Sequence, residues 1–167
     1  HAQVVSPEDL PRFAEMGVIA SMQPSHAISD LHFAPARLGA DRLGGAYAWK
    51  ALLDSGARLA AGSDAPVERG DPLIEFYAAA HRHDLNGFAG PGWHLEQTLS
   101  RSEALAALTT GAAYSAFEEA ERGTLEAGKR ADVSVFSADL MDVEPGQIPG
   151  AQAVLTVAGG RVTHSAL

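Results

Sequence analysis

The chain has 167 residues, 46% apolar and 20% charged, a balance that supports a packed core and argues against global disorder. Twelve Lys and Arg against 21 Asp and Glu leave a net charge of −9 with no basic block to offset it, so nucleic acid is disfavoured as a partner. Cysteine is absent, which removes disulfide and thiolate chemistry, and no apolar run nears the roughly 20 residues of a membrane-spanning helix, so a membrane partner is not expected either.

The first residues, His1-Ala2-Gln3-Val4-Val5, carry no Met, basic stretch or apolar leader. A leading His reads as a tag remnant, yet an organised pattern follows it with no linker. The expectation is therefore a sequence that starts inside a larger protein, and, without a signal, a cytoplasmic one. Ser6-Pro7-Glu8-Asp9 predicts a helix start, with a capping hydroxyl, Pro in the first turn and two acids at the positive end of the dipole. Leu10, Phe13 and Ala14 supply its inner stripe, and Gly17 is placed to end it. Residues 18–22 read as a buried strand. Gln23 to Gly45 reads as a long irregular connection, of a length usually kept for function.

A second helix fits Tyr47 to Asp54, and Arg58–Ala61 forms a second strand that runs into Gly62-Ser63-Asp64-Ala65-Pro66. Asp71-Pro72 opens a third helix that carries Leu73, Ile74, Phe76 and Tyr77 inward. A capping box at Ser100 and Glu103 opens a fourth. Alternation of helix and strand predicts parallel strands with helices packed outside, the α/β class. After about Phe117 the period changes to two, in Ala131–Phe136 and Ala153–Val157, and Gly159-Gly160 predicts a hairpin into Arg161-Val162-Thr163. The boundary expected from this change divides the chain into residues 1–116 and 117–167.

In α/β barrels the working residues lie where strands end. Asp64 stands at such an end, behind two small residues that let a ligand approach; it reads as a cation ligand and proton carrier, or as a turn residue bonded to nearby amides. Gln23 and His26 follow the first strand, and His1 stands where an earlier strand would end. His26 and His32 lie in the polar connection and read as solvated or hydrogen-bonded. His81 and His83, two apart on a helix, face different directions and make a poor chelate. Trp49 and Trp93 read as core or loop anchors, and His94 and His164 carry no pattern.

Four segments in order, His1-Ala2-Gln3, Ser21-Met22-Gln23-Pro24-Ser25-His26, Gly62-Ser63-Asp64-Ala65-Pro66 and Gly123-Thr124-Leu125-Glu126-Ala127-Gly128-Lys129-Arg130-Ala131-Asp132, resemble the metal-dependent amidohydrolase superfamily, in its YtcJ-like branch. Thr109-Thr110-Gly111-Ala112-Ala113 agrees with the same pattern. The resemblance implies a (β/α)8 TIM-type barrel followed by strands of a small accessory β-sandwich, with this chain supplying the last strands and helices of the barrel. It implies that His1 and Asp64 bind a divalent metal, zinc being the expected one. Asp64 would take a proton from the metal-activated water that attacks a C–N (amide or cyclic amide) bond of a small-molecule substrate, while His26 and Gln23 would meet that substrate. The superfamily's His-x-His pair, its strand-four Lys or Glu and its strand-five His are absent. A catalytic zinc site keeps three protein ligands and an open position, and this chain offers two.

The first expectation is thus the carboxyl-terminal segment of an amidohydrolase, inactive without the missing amino-terminal barrel half with which it associates. The second is a non-catalytic α/β module that self-associates through its open sheet edge, a homo-oligomer that hides its apolar faces. A third, weaker expectation is phosphate binding by the Gly-rich loop 86–92, which its acidic surroundings and lack of Lys oppose.

Overall fold

A computed structural model describes residues 1–90 and 93–167. The predicted first helix begins as a 3-10 turn, Pro7–Asp9, and passes into helix α1, Leu10–Glu15. The late α-helical start has a local cause: Pro11 lacks the amide that would bond the carbonyl of residue 7. Gly17, at φ +66°, closes α1, with Val18 N–H reaching Phe13 O at 2.8 Å and Gly17 N–H reaching Ala14 O at 3.2 Å. This paired closure is the Schellman arrangement, and it requires the left-handed backbone that glycine adopts at no steric cost.

Two short strands follow, β1 (Ala20–Met22) and β2 (Leu59–Ala61), parallel and in the register Ala20 to Leu59 and Met22 to Ala61. They are shorter than the sequence predicts; Val18 lies outside β1 and is exposed. Residues 23–45 differ more. In place of an irregular connection they form helix α2 (Pro24–Asp30), helix α3 (Ala34–Leu38) and a 3-10 segment, Ala40–Gly45. Pro24 and Pro35 sit in the first turns, where a missing amide costs nothing. α2 shows no amphipathic period because its first five residues, Pro24 to Ile28, are all buried.

Helix α4 (Trp49–Asp54) leads into β2, and helix α5 (Pro72–His81) leads away from the turn that follows β2. Asp71 caps α5 by accepting Leu73 N–H at 2.9 Å, and Leu73, Ile74, Phe76 and Tyr77 are buried as the sequence predicts. The capping box also forms: Ser100 Oγ accepts Glu103 N–H, and Glu103 accepts Ser100 N–H at 2.7 Å. It opens one helical run made of α6 (Arg101–Ala106), a π-turn (Ala107–Gly111) and α7 (Ala112–Ser115). That run lies directly on β2; a Cβ at Gly111 would come 2.1 Å from Leu59 O. Ala104 and Ala107 face the core, and Leu105 is exposed.

Three antiparallel strands complete the chain: β3 (Val133–Phe136), β4 (Ala153–Ala158) and β5 (Arg161–Ser165), in that spatial order. Gly159 and Gly160 have φ of +56° and +79°, the two positive angles that a type I′ hairpin turn demands. Among the described residues no helix is long and apolar enough to cross a membrane.

Candidate functional site

Because β1 and β2 are parallel, the residues that follow them emerge on one edge of the pair. Gly62 N–H bonds Met22 O at 3.1 Å, which sets Gln23 and the Gly62–Asp64 turn side by side. Asp64 itself adopts φ +57°, a region uncommon for side-chain-bearing residues but tolerated by Asp. The turn is held by Val67 N–H on Asp64 O at 2.8 Å.

His1 arrives at this edge from the other side. Its Nδ1 lies 2.7 Å from Gln23 Oε1, and its Nε2 lies 3.7 Å from Asp64 Oδ2. An amide oxygen only accepts, so Nδ1 carries the proton and the Nε2 lone pair is left free on the side of Asp64. The 3.7 Å separation is too long for a hydrogen bond and close to the roughly 3.4 Å between two ligands of one tetrahedral zinc, from bond lengths near 2.0–2.1 Å. Residues 1–5 pair only through a bridge from Val4 to Ala46, since Ala2 at φ +43° interrupts the extended course.

The ring of His26 stands 5.8 Å from that of His1, tilted by 59°. It is buried, and among the described residues its Nε2 has no hydrogen-bond partner. Sequence thus names four residues, His1, Gln23, His26 and Asp64, that the structure brings together. As a metal site they are chemically suited but incomplete: among the described residues no three His, Cys, Asp or Glu side chains converge on one point.

Sequence reading missed the layer behind these four. Gln3 Nε2 donates to Asp30 Oδ2 at 2.9 Å and to Tyr47 Oη at 2.8 Å, and the Tyr47 hydroxyl donates to Asp30 Oδ2. Burial, and then the bond to Asp30, push the Tyr47 hydroxyl up, so it stays a protonated donor at neutral pH. Arg82, fully buried in a left-handed conformation at the end of α5, donates to Trp93 O (2.7 Å), Tyr47 O (2.7 Å) and Ala46 O (3.1 Å), with its guanidinium over the Trp49 ring at 4.7 Å. Burial lowers its pKa to about 10, which still leaves it charged at neutral pH. Glu75, a lone acid inside an apolar helix, receives Ser25 N–H at 2.9 Å, and burial pushes its carboxyl up. The interruption of that apolar run was a usable signal. The Gln3–Asp30–Tyr47 cluster had none, because its members are far apart in sequence.

The remaining histidines follow the plainer expectation. His32 Nε2 lies 3.2 Å from Asp84 Oδ2 and its ring stacks on Phe88, and His164 Nε2 donates to Ala153 O. Both tryptophans are core anchors. Of the Gly-rich loop, residues 91 and 92 lie outside the described residues. The amides of Asn86 and Phe88 are already bonded to Asp84 Oδ1 at 2.9 Å, which removes two of the donors a phosphate would need.

The sequence profile of the amidohydrolase family matches residues 1–164. The chain belongs to the amidohydrolase family. It is 35% identical over 98% of its length to a Bacillus subtilis protein named "Putative amidohydrolase YtcJ", and 33% identical over 96% to the LONG AFTER FAR-RED 3 protein of Arabidopsis thaliana. These matches cover 31% and 27% of the two relatives, so this amidohydrolase chain spans under a third of their length. Among solved structures it resembles an uncharacterised metal-dependent hydrolase from Pyrococcus horikoshii, with a TM-score of 0.70 and 30% identity over 78% of this chain and 26% of that one. It also resembles atrazine chlorohydrolase TrzN from Arthrobacter aurescens, complexed with zinc, with a TM-score of 0.64 and 26% identity over 99% of this chain and 35% of that one.

Proposed function

We propose that this chain is the carboxyl-terminal portion of an amidohydrolase that cleaves a C–N bond, amide or cyclic amide. Residues 1–116 would form the last part of a (β/α)8 barrel, and residues 117–167 would contribute strands to an accessory β-sandwich. His1 and Asp64 would hold a divalent cation, zinc by analogy with the TrzN complex, and the rest of the coordination sphere would come from the missing barrel half. The observation that carries the proposal is His1 Nε2 lying 3.7 Å from Asp64 Oδ2, on the turn that follows β2.

A cation held by His1 and Asp64 would supply Lewis-acid polarisation and acidify water. The chain's own residues do the rest. Gln23 fixes the His1 tautomer and ring orientation, the part that an outer hydrogen bond plays at metal sites. Asp64, on a turn held by Val67, would accept a proton at Oδ2 and pass it to the leaving nitrogen. His26 and Gln23 line the side on which the substrate would lie.

Joined to the upstream sequence of a YtcJ-like relative, the chain is expected to hydrolyse an N-substituted formamide, the compound named in its 29%-identical relative from Arthrobacter pascens, or another small amide, only in the presence of metal. Asp64→Asn should then lower kcat by about 10²–10⁴-fold. Stoichiometric tight zinc in the chain alone, or turnover that survives Asp64→Asn, would overturn the proposal.

A further inference from the structure

His1 owes its place to bonds made further along the chain. Among the described residues its ring makes one hydrogen bond, to Gln23 Oε1 at 2.7 Å, and its side chain is 52% exposed. One exposed hydrogen bond does not offset the entropy lost in ordering residues 1–3. Residues 3–5 are gripped instead by residues 45–47. Tyr47 N–H reaches Gln3 O at 2.7 Å and Val5 N–H reaches Gly45 O at 2.9 Å, on either side of the Val4–Ala46 bridge. The two segments lie so close that a Cβ at Gly45 would fall 1.7 Å from Val5 O. The Gln3 side chain adds a second grip. Its amide donates to Asp30 Oδ2 at 2.9 Å and to Tyr47 Oη at 2.8 Å, while the Tyr47 hydroxyl donates to the same Asp30 oxygen. Every bond of this triangle has a proper donor and acceptor: a carboxylate only accepts, an amide nitrogen only donates, and a hydroxyl does both. Asp30 is the last residue of α2, the helix that Gln23 opens and that carries His26. The triangle therefore ties the segment of His1 to the helix whose other end presents Gln23.

We infer that Asp30 and Tyr47 are positioning residues: acting through Gln3, they hold the backbone so that the His1 ring meets Gln23 at Nδ1 and turns Nε2 toward Asp64. The inference builds on the proposed hydrolase site, which gives this placement its use, but the placement itself involves no metal. A side chain placed in advance needs no ordering when its ligand arrives. Tyr47 acts twice, its amide on the Gln3 carbonyl and its hydroxyl in the triangle. Asp30 supplies the shared acceptor, and the charge on a carboxylate strengthens each bond it receives. Arg82 donates to Ala46 O and Tyr47 O, so residues 45–47 are the anchored side of the pair.

The test is NMR on the isotope-labelled chain, without metal, at about pH 8, where an ordinary imidazole is neutral. The parent should show His1 as the Nδ1–H tautomer, with a cross-peak from its ring to the His26 ring, whose centre is 5.8 Å away. Tyr47→Phe keeps the ring and the backbone amide and removes the hydroxyl. It should shift the balance of placed against displaced His1 about tenfold toward displaced, the loss of one hydrogen bond, read as averaging of the two tautomers and weakening of the cross-peak. Asp30→Leu removes two bonds and should shift it further, whereas Asp30→Asn, which keeps an acceptor oxygen, should restore most of the parent signal. Gln3→Met removes the donor at similar length and decides the matter should Asp30→Leu not fold. Ile148→Ala, which weakens the fold elsewhere, should leave the His1 signals as they are. Overturning results are a parent His1 already averaged between tautomers, His1 signals indifferent to Tyr47→Phe and Gln3→Met, Asp30→Asn no better than Asp30→Leu, or an equal displacement by Ile148→Ala. Each of these sinks the positioning role alone, since the metal reading is decided by zinc content and turnover.

Discussion

The two ends of this chain obey different rules of burial. Residues 1–116 hold most of the core: helices pack against the β1–β2 pair, and Trp49, Leu52, Leu99 and Ala104 are at most 2% exposed. In residues 117–167 the three-stranded sheet is nearly bare; every residue of β5 is exposed, and Ile148 is the one residue described as fully buried beyond residue 116. The contrast teaches that hydrogen-bonded strands and a packed layer are separate achievements. β3, β4 and β5 satisfy each other's backbone, but their side chains have little to pack against within these described residues. The sheet is attached through few points, Ile148 in the core and Arg101 donating to Leu140 O and Val143 O.

The largest effect that would sharpen this contrast is expected at Arg82. Arg82→Met removes the donor from three buried carbonyls at about 1–3 kcal/mol each, so urea unfolding should show a loss of at least about 3 kcal/mol. Arg161→Met on exposed β5 should stay within about 0.5 kcal/mol of the parent. Equal losses at the two sites would erase the distinction.

Next in size is Ile148→Ala, which empties a fully buried position and should cost about 2–5 kcal/mol. Hydrogen exchange should then accelerate in β4 more than in β1 and β2, because the anchor of the sheet has been cut. Uniform acceleration would instead mean that both regions unfold as one unit.

The smallest effect concerns the capping box. The bond from Ser100 N–H, and then Lys50, hold the Glu103 carboxyl below its usual range. A carboxylate depressed in the folded state contributes stability above its unfolded pKa and loses it as pH falls through the folded value. Glu103→Gln should therefore cost about 1 kcal/mol at pH 7, and the difference from the parent should shrink as the pH drops below 4. A gap that widens with acid would contradict the assignment of that bond.

Much of this was legible in the residues themselves, because some signals are local. Asp71-Pro72, Ser100 with Glu103, Gly17 and Gly159-Gly160 act on amides within a few positions, and each forms the cap or turn expected of it. The candidates Gln23 and Asp64 were named for another reason: they follow short apolar runs, where the α/β alternation leaves side chains at the strand ends. Residues 23–45 were not legible, since buried α2 has no polar face to mark its period.

What the sequence alone determined, then, was element type outside residues 23–45, the approximate limits of the strands and the chemical identity of the candidate ligands. Only the tertiary structure decided which of them meet. Parallel pairing of β1 with β2 sets Gln23 beside the Asp64 turn, and the backbone break at Ala2 carries His1 across to both. The hidden Arg82, the Gln3–Asp30–Tyr47 cluster and the buried ring of His26 depend on contacts between distant segments. Local residue patterns carry no record of such contacts, because desolvation and hydrogen bonding at a buried atom are fixed by whatever the fold packs against it.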